Sequence, residues 1–185
     1  MRTMSYYLTR KFMEAIFGSS AGKYSLPIIG VGRTKRGVSY SIKIPGASSR
    51  DISRTLWRLR RAKVIEFYEE GEKVKIILTE IGKKRILRYK LEDMKIKKPK
   101  KWDGSWCIVA FDIPESKKVA RNALDQKMKE LGLLPFQKSL WIYPYECKDE
   151  IDFIANFFEV GKYVHYIVTK NITNDELLRQ RFNLV

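Results

Sequence analysis

Residues 102–115 read WDGSWCIVAFDIPE, an apolar run that ends abruptly on the carboxylate of Asp112 and on Pro114. Residues 106–111 are too few for an isolated helix and are rich in Trp, Ile, Val and Phe, so they read as a buried strand with Asp112 at its C-terminal end. Helical spacing resumes almost at once. Ser116 is placed to cap, and Val119, Ala123, Leu124, Met128 and Leu131 recur at roughly helical intervals before Gly132 breaks the pattern.

Downstream, residues 134–137 and 140–145 read as two strands separated by Lys138 and Ser139. Residues 148–158 follow as a helix with an Ile151, Ile154, Phe157 and Phe158 stripe, and residues 163–169 as a last strand. The order β-α-β-β-α-β is the split βαβ of ferredoxin-like domains, whose helices cover one face of the sheet. Alternation assigns Leu140, Ile142, Val164, Tyr166 and Val168 to that covered face, leaving Trp141, Tyr143, Tyr163 and His165 opposite. An open aromatic face implies an interface, so a homodimer formed sheet to sheet is expected. At the end, Thr173 and Glu176 have capping-box spacing ahead of Leu177, Leu178 and Phe182. That tail helix is expected to dock on the dimer or on the first domain.

Upstream of the strand the chain changes character. Residues 1–101 hold 26 Lys and Arg against 9 Asp and Glu, whereas residues 102–185 hold 11 against 12. A positive field concentrated in one part favours a polyanion, with nucleic acid first and an anionic membrane surface second; solvated surface charge is the ordinary alternative. No apolar run approaches the roughly 20 residues of a membrane span, and MRTMSYYLTR has no signal-peptide core, so a cytoplasmic protein without membrane contact is expected. Cys107 and Cys147 make neither a disulfide framework nor a metal-ligand spacing.

Within the basic part, Tyr6, Phe12, Ala15 and Ile16 suggest a helix over residues 5–17. Residues 21–47 are broken by Pro27, Gly30, Gly32, Gly37, Pro45 and Gly46, leaving room only for a short helix of no definite position. Ser48 and Asp51 then form a capping box for a helix over residues 50–62. Ile52, Leu56 and Leu59 share one stripe of it, and Arg50, Ser53, Arg54, Trp57 and Arg61 share the other, with Arg58 nearby. Residues 64–68 and 74–78 make a hairpin around Glu69, Glu70, Gly71 and Glu72, and Thr79 caps a further helix bearing Lys83, Lys84, Arg85 and Arg88.

Helix, hairpin and helix over about residues 5–92 resemble the winged-helix family of DNA-binding domains. The resemblance implies contact with double-stranded DNA through Arg50, Ser53, Arg54, Trp57, Arg58 and Arg61 on the helix and Lys73 and Lys75 on the wing. KIKKPKK, residues 95–101, is a basic linker interrupted by Pro99. The division expected is a winged-helix domain over residues 1–94, this linker, and a dimerisation domain over residues 102–185.

Three motifs, WDGSWCIVAFDIPE, ARNALDQKMKELG and QKSLWIYPY, resemble the PaaX family of transcriptional repressors. Their middle domain is similar to the small CRISPR-associated spacer-acquisition subunit, the second Cas protein. The resemblance implies an α+β fold, an N-terminal winged helix-turn-helix followed by a ferredoxin-like βαββαβ domain. It also implies a dimeric, sequence-specific regulator, a repressor, that needs no cofactor. Some members respond to an acyl-CoA effector; no residue here is assigned to one.

Two other functions stay open. In the Cas-type relatives the aspartate ending the first strand is proposed to hold a divalent metal across the dyad, so Asp112 would bind Mg²⁺ and serve as the catalytic residue of a nuclease. Asp112 and Glu115 also suit the free N–H groups of the helix start beside Pro114, the more ordinary role for them. The third class is an adaptor that holds DNA without sequence preference.

Overall fold

The computed structural model describes residues 4–17, 25–27, 31–34, 37–40, 48–70 and 73–184. The chain divides into two compact units, Met1–Glu92 and Asp93–Val185, both of mixed α and β structure.

In the first unit, α1 (Met4–Phe17) contributes Phe12 and Met13 to a core completed by Ile52, Leu56, Leu59, Val64, Ile65, Ile76, Leu78, Ile86 and Tyr89. Met13, absent from the expected stripe, is fully buried, and the side chains of Ala15 and Ile16 lie outside the described residues. Where the sequence left room for a short helix, the described parts are strands. β1 (Ser25–Pro27) pairs antiparallel with a later strand, and β2 (Val31–Thr34) pairs with β3 (Gly37–Tyr40). Residues 41–47 lie outside the described residues.

The helix α2 (Ser49–Arg61) starts at Ser48, whose Oγ accepts from the Asp51 N–H at 3.2 Å and donates to Asp51 Oδ2 at 2.6 Å. That reciprocal pair satisfies a donor the helix itself leaves open. After α2, Lys63 takes a left-handed conformation with φ 53°, turning the chain into β4 (Ile65–Glu70), which pairs with β5 (Lys73–Leu78). The sheet order is β1-β5-β4. Gly71 and Glu72, at the hairpin tip, lie outside the described residues.

Thr79 joins the hairpin to α3 (Glu80–Asp93), because its Oγ1 accepts from the Gly82 N–H at 3.2 Å and donates to the Lys63 carbonyl at 2.5 Å. Close approach of α3 to the hairpin requires Gly82. A Cβ added there would lie 2.2 Å from the Val64 carbonyl oxygen and 2.7 Å from Leu78 Cδ2. Alanine favours a helix by about 1 kcal/mol over glycine, but a backbone carbonyl cannot rotate away as a side chain would. Gly82→Ala is therefore expected to lower stability by about 1 to 3 kcal/mol in urea denaturation. A more stable variant would contradict this packing.

The second unit contains β6 (Trp106–Phe111), α4 (Lys118–Leu131), β7 (Leu134–Gln137), β8 (Leu140–Tyr143), α5 (Lys148–Phe157), β9 (Val164–Thr169) and α6 (Asp175–Phe182). The four strands form one antiparallel sheet in the order β7-β8-β6-β9. The first strand lies between the third and fourth, the strand order of a split βαβ unit.

Two caps differ from expectation. Ser116 lies within a 3-10 turn, Glu115–Lys117, rather than capping α4, and Val119 is 85% exposed rather than part of its core stripe. At α6 the N-cap is Asn174, with φ 63°, not Thr173. At the other end of α4, Gly132 takes φ 93°, a left-handed C-cap suited to glycine.

The phase of β8 is also opposite to the expected one. Tyr143 stands opposite Cys107 and Trp141 opposite Val109, in line with Val168 and Tyr166, so all share one face. α4 and α5 cover that face: Trp141 lies near Asp125 of α4, and Tyr166 accepts through its hydroxyl from the Cys147 N–H before α5 at 3.1 Å. Trp141 and Tyr143 are accordingly 6% and 2% exposed, and they form no open aromatic face. LWIY has no polar residue to mark its outer side, so only its neighbours fix which way it faces.

Ile142 lies on the other face, with Trp106, Ile108 and Leu134, and α6 covers it through Leu178 and Phe182. The tail helix thus docks on its own sheet. The Trp106 indole N–H donates to Asp175 Oδ1 at 2.7 Å, and its ring packs against Trp102 and Phe182 at centroid distances of 4.9 and 5.8 Å.

Candidate nucleic-acid interface

The α2 helix carries five arginines and one aspartate, and the aspartate is engaged by Ser48 at the helix start. Ile52, Thr55, Leu56 and Leu59 are buried, which fixes the rotation of the helix and turns Arg50, Ser53, Arg54, Trp57, Arg58, Arg60 and Arg61 outward. Arg50, Arg54, Arg60 and Arg61 have no carboxylate partner among the described residues. Among the described residues, nothing acidic neutralises their charge.

Several side chains on this face are preorganised. The Arg61 guanidinium lies 5.2 Å from the centroid of the Trp57 ring, and Arg60 lies 5.3 Å from that of Phe67 on β4. Arg58 donates to Thr55 Oγ1 at 3.2 Å, and Ser53 donates to the Ser49 carbonyl at 2.9 Å. Such stacking holds a guanidinium in place while leaving its donors free for an anion.

The α2 residues singled out from sequence are thus brought onto one exposed helix surface, and Arg60 joins them. Helical projection places Arg60 one turn beyond Trp57, so the signal was available. Lys73 and Lys75 are on β5, opposite Glu70 and Tyr68 in register; their side chains lie outside the described residues. Lys84 and Arg88 on α3 are exposed as well, next to a cleft of about 570 Å³ that also involves Tyr6, Arg85 and Tyr89. In the second unit the lysines of KIKKPKK are exposed, but Ile96 is buried, so that stretch is anchored rather than a plain spacer.

The four aromatic residues expected to form a dimer face are separated. Trp141 and Tyr143 lie beneath helices, as described above. Tyr163 is in the 3-10 turn Gly161–Tyr163, with Lys162 over its ring at 4.9 Å, and His165 is exposed on β9.

Asp112 is exposed at the end of β6, with its N–H donating to the Tyr163 carbonyl at 3.0 Å. It borders a cleft of about 560 Å³ with Glu115, Arg121, Asp125 and Lys138. Glu115 is held below the usual carboxylate range by hydrogen bonds from Lys118 and Arg121, both at 3.0 Å. Burial pushes the Asp125 carboxyl upward, and its Oδ1 and the Trp141 indole nitrogen are buried without a well-formed hydrogen bond. Glu115 is thus paired with two cations, Asp125 is partly withdrawn from solvent, and Arg121 and Lys138 border the same cleft. The residues of a single chain do not suit a divalent metal there, and no group of three His, Cys, Asp or Glu side chains arranged to hold one occurs among the described residues.

Cys107 and Cys147 are both buried as free thiols. The hydrogen bond with Cys107, reinforced by burial, pushes the Cys147 thiol upward. No helix among the described residues is long and apolar enough to cross a membrane.

No curated protein matches the chain. Residues 99–179 match the family described as the PaaX protein central Cas2-like domain. The matched range contains the whole four-stranded sheet and both helices that connect its strands. On that match and the split βαβ sheet within it, residues 99–179 are a PaaX central Cas2-like domain, the family to which the three sequence motifs pointed.

Proposed function

We propose that this protein is a DNA-binding transcriptional regulator of PaaX type. In this reading the first unit is a winged helix-turn-helix with α2 as its recognition helix and the β4–β5 hairpin as its wing. The second unit is a ferredoxin-like domain that pairs two copies. The observation that carries the proposal is the α2 surface, where Arg50, Arg54, Arg60 and Arg61, without carboxylate partners among the described residues, lie around an exposed indole. Guanidinium groups suit both phosphate oxygens and the guanine edge. The match of residues 99–179 to the PaaX central Cas2-like domain supports the regulator reading.

The pairing surface differs from the aromatic face expected from sequence. With Trp141 and Tyr143 buried, exposed apolar surface for self-association remains on β9, an edge strand whose Ile167 and Val168 are 49% and 58% exposed. An open strand edge with such side chains favours pairing with another chain.

Arg54 is the most informative residue to change, because it is exposed at the middle of the face and its side chain makes no hydrogen bond or ion pair among the described residues. Arg54→Ala is expected to weaken duplex binding about 5- to 150-fold in a gel-shift titration, matching about 1 to 3 kcal/mol, with sedimentation unchanged. Undiminished affinity would overturn the role of α2. Selection of binding sites from random duplexes distinguishes a regulator, which enriches a two-fold repeated site, from an adaptor, which enriches none.

A further inference from the structure

Phosphates and guanine edges account for the arginines of α2, but the Trp57 ring suits neither. Trp57 is 60% exposed at the centre of the cationic face, one helical turn after Ser53 and Arg54 and one before Arg60 and Arg61. The Arg61 guanidinium covers one face of the ring at 5.2 Å, leaving the rest of the indole toward solvent. When a helix enters the major groove, its flanking cations meet the phosphates and its central side chains meet base edges. Those edges are polar except at one group, the C5-methyl of thymine.

We infer that Trp57 is a specificity residue that selects thymine by burying its 5-methyl group against the indole. This inference rests on the reading of α2 as the DNA-contacting helix. Charge complementarity commits the face to duplex DNA, because a protein partner would have to neutralise the surrounding arginines as well as cover the ring.

The test uses the full chain and a duplex selected from random sequence, with deoxyuridine replacing each thymidine in turn. This removes the methyl group and leaves every base pair and phosphate in place. Wild type is expected to lose about fourfold in affinity at one or two positions per half-site, the worth of one buried methylene-sized group. Trp57→Ala is expected to bind the thymine and uracil duplexes equally, and Trp57→Phe to retain part of the difference. Equal wild-type binding to all the uracil duplexes would overturn the inference, as would a selected site without thymine. So would a Trp57→Ala variant that keeps the wild-type thymine preference, including one that changes only the sedimentation behaviour. Absence of any duplex binding would instead defeat the reading of α2 on which the inference rests.

Discussion

Replacing Trp106 with alanine is expected to lower the stability of the second unit by about 3 to 5 kcal/mol, the range for deleting a buried large aromatic side chain. Trp106 is fully buried, and three separate contacts depend on its ring: Trp102, Phe182 and the carboxylate of Asp175. Removing it opens a cavity between the sheet and α6 and leaves Asp175 without its indole donor. In a unit of this size each kcal/mol moves the thermal midpoint by about 4 to 8 °C, so a fall of more than 10 °C should be measured by calorimetry. Limited proteolysis should show α6 cut first, because Leu178 and Phe182 rest on the same cluster. Trp106→Phe, which keeps a ring and loses the N–H, should fall between wild type and Trp106→Ala. A midpoint within a few degrees of wild type for Trp106→Ala would show that α6 does not depend on this contact.

Affinity for duplex DNA is expected to fall about 10³- to 10⁵-fold between 50 and 200 mM salt. Each α2 carries five arginines, so the proposed two-fold pair would present ten, without counting exposed Lys84 and Arg88 on α3 or the lysines of residues 95–101. If about six to ten of these groups neutralise phosphates, each releases condensed counterions, and the logarithm of affinity falls linearly with that of salt concentration at a slope of about −0.9 per contact. Fluorescence anisotropy at four or five salt concentrations gives the slope directly. Arg54→Ala should flatten it by about one contact if Arg54 grips a phosphate, and leave it unchanged if it reads a base edge. A flat profile for wild type would contradict the assignment of α2 as an electrostatic surface.

Both units carry segments whose local pattern was sufficient. Residues 106–111 form the expected strand because the run is apolar throughout and bounded by Gly104 and Pro114. In α2, Ile52, Leu56 and Leu59 lie on the buried stripe that their spacing requires, and the cap at Ser48 forms as its partner three residues on allows. The arginine face follows from the same rotation: once one stripe is buried, its opposite must meet solvent.

Elsewhere the local pattern admitted two answers. Leu140–Tyr143 is apolar at every position, so alternation could not say which pair faces the helices, and a one-residue change of phase inverts the result. Asp112 could be read as a metal ligand or as a helix-start residue, and that Arg121, Asp125 and Lys138 border its cleft follows from no local pattern. Gly82 offered no sign of special importance, because its role depends on a carbonyl eighteen residues earlier in the chain.

By itself the sequence determined the succession of strands and helices in the second unit, the burial stripe of α2 and the cationic surface opposite it, since each depends on periodicity within one short segment. Only the tertiary structure decided that Trp141 and Tyr143 are buried, that α6 closes the second face of its own sheet, and that α3 packs tightly enough to require glycine. The physical reason is that these outcomes depend on contacts between distant segments, such as Trp106 with Asp175, 69 residues apart, which no local periodicity encodes.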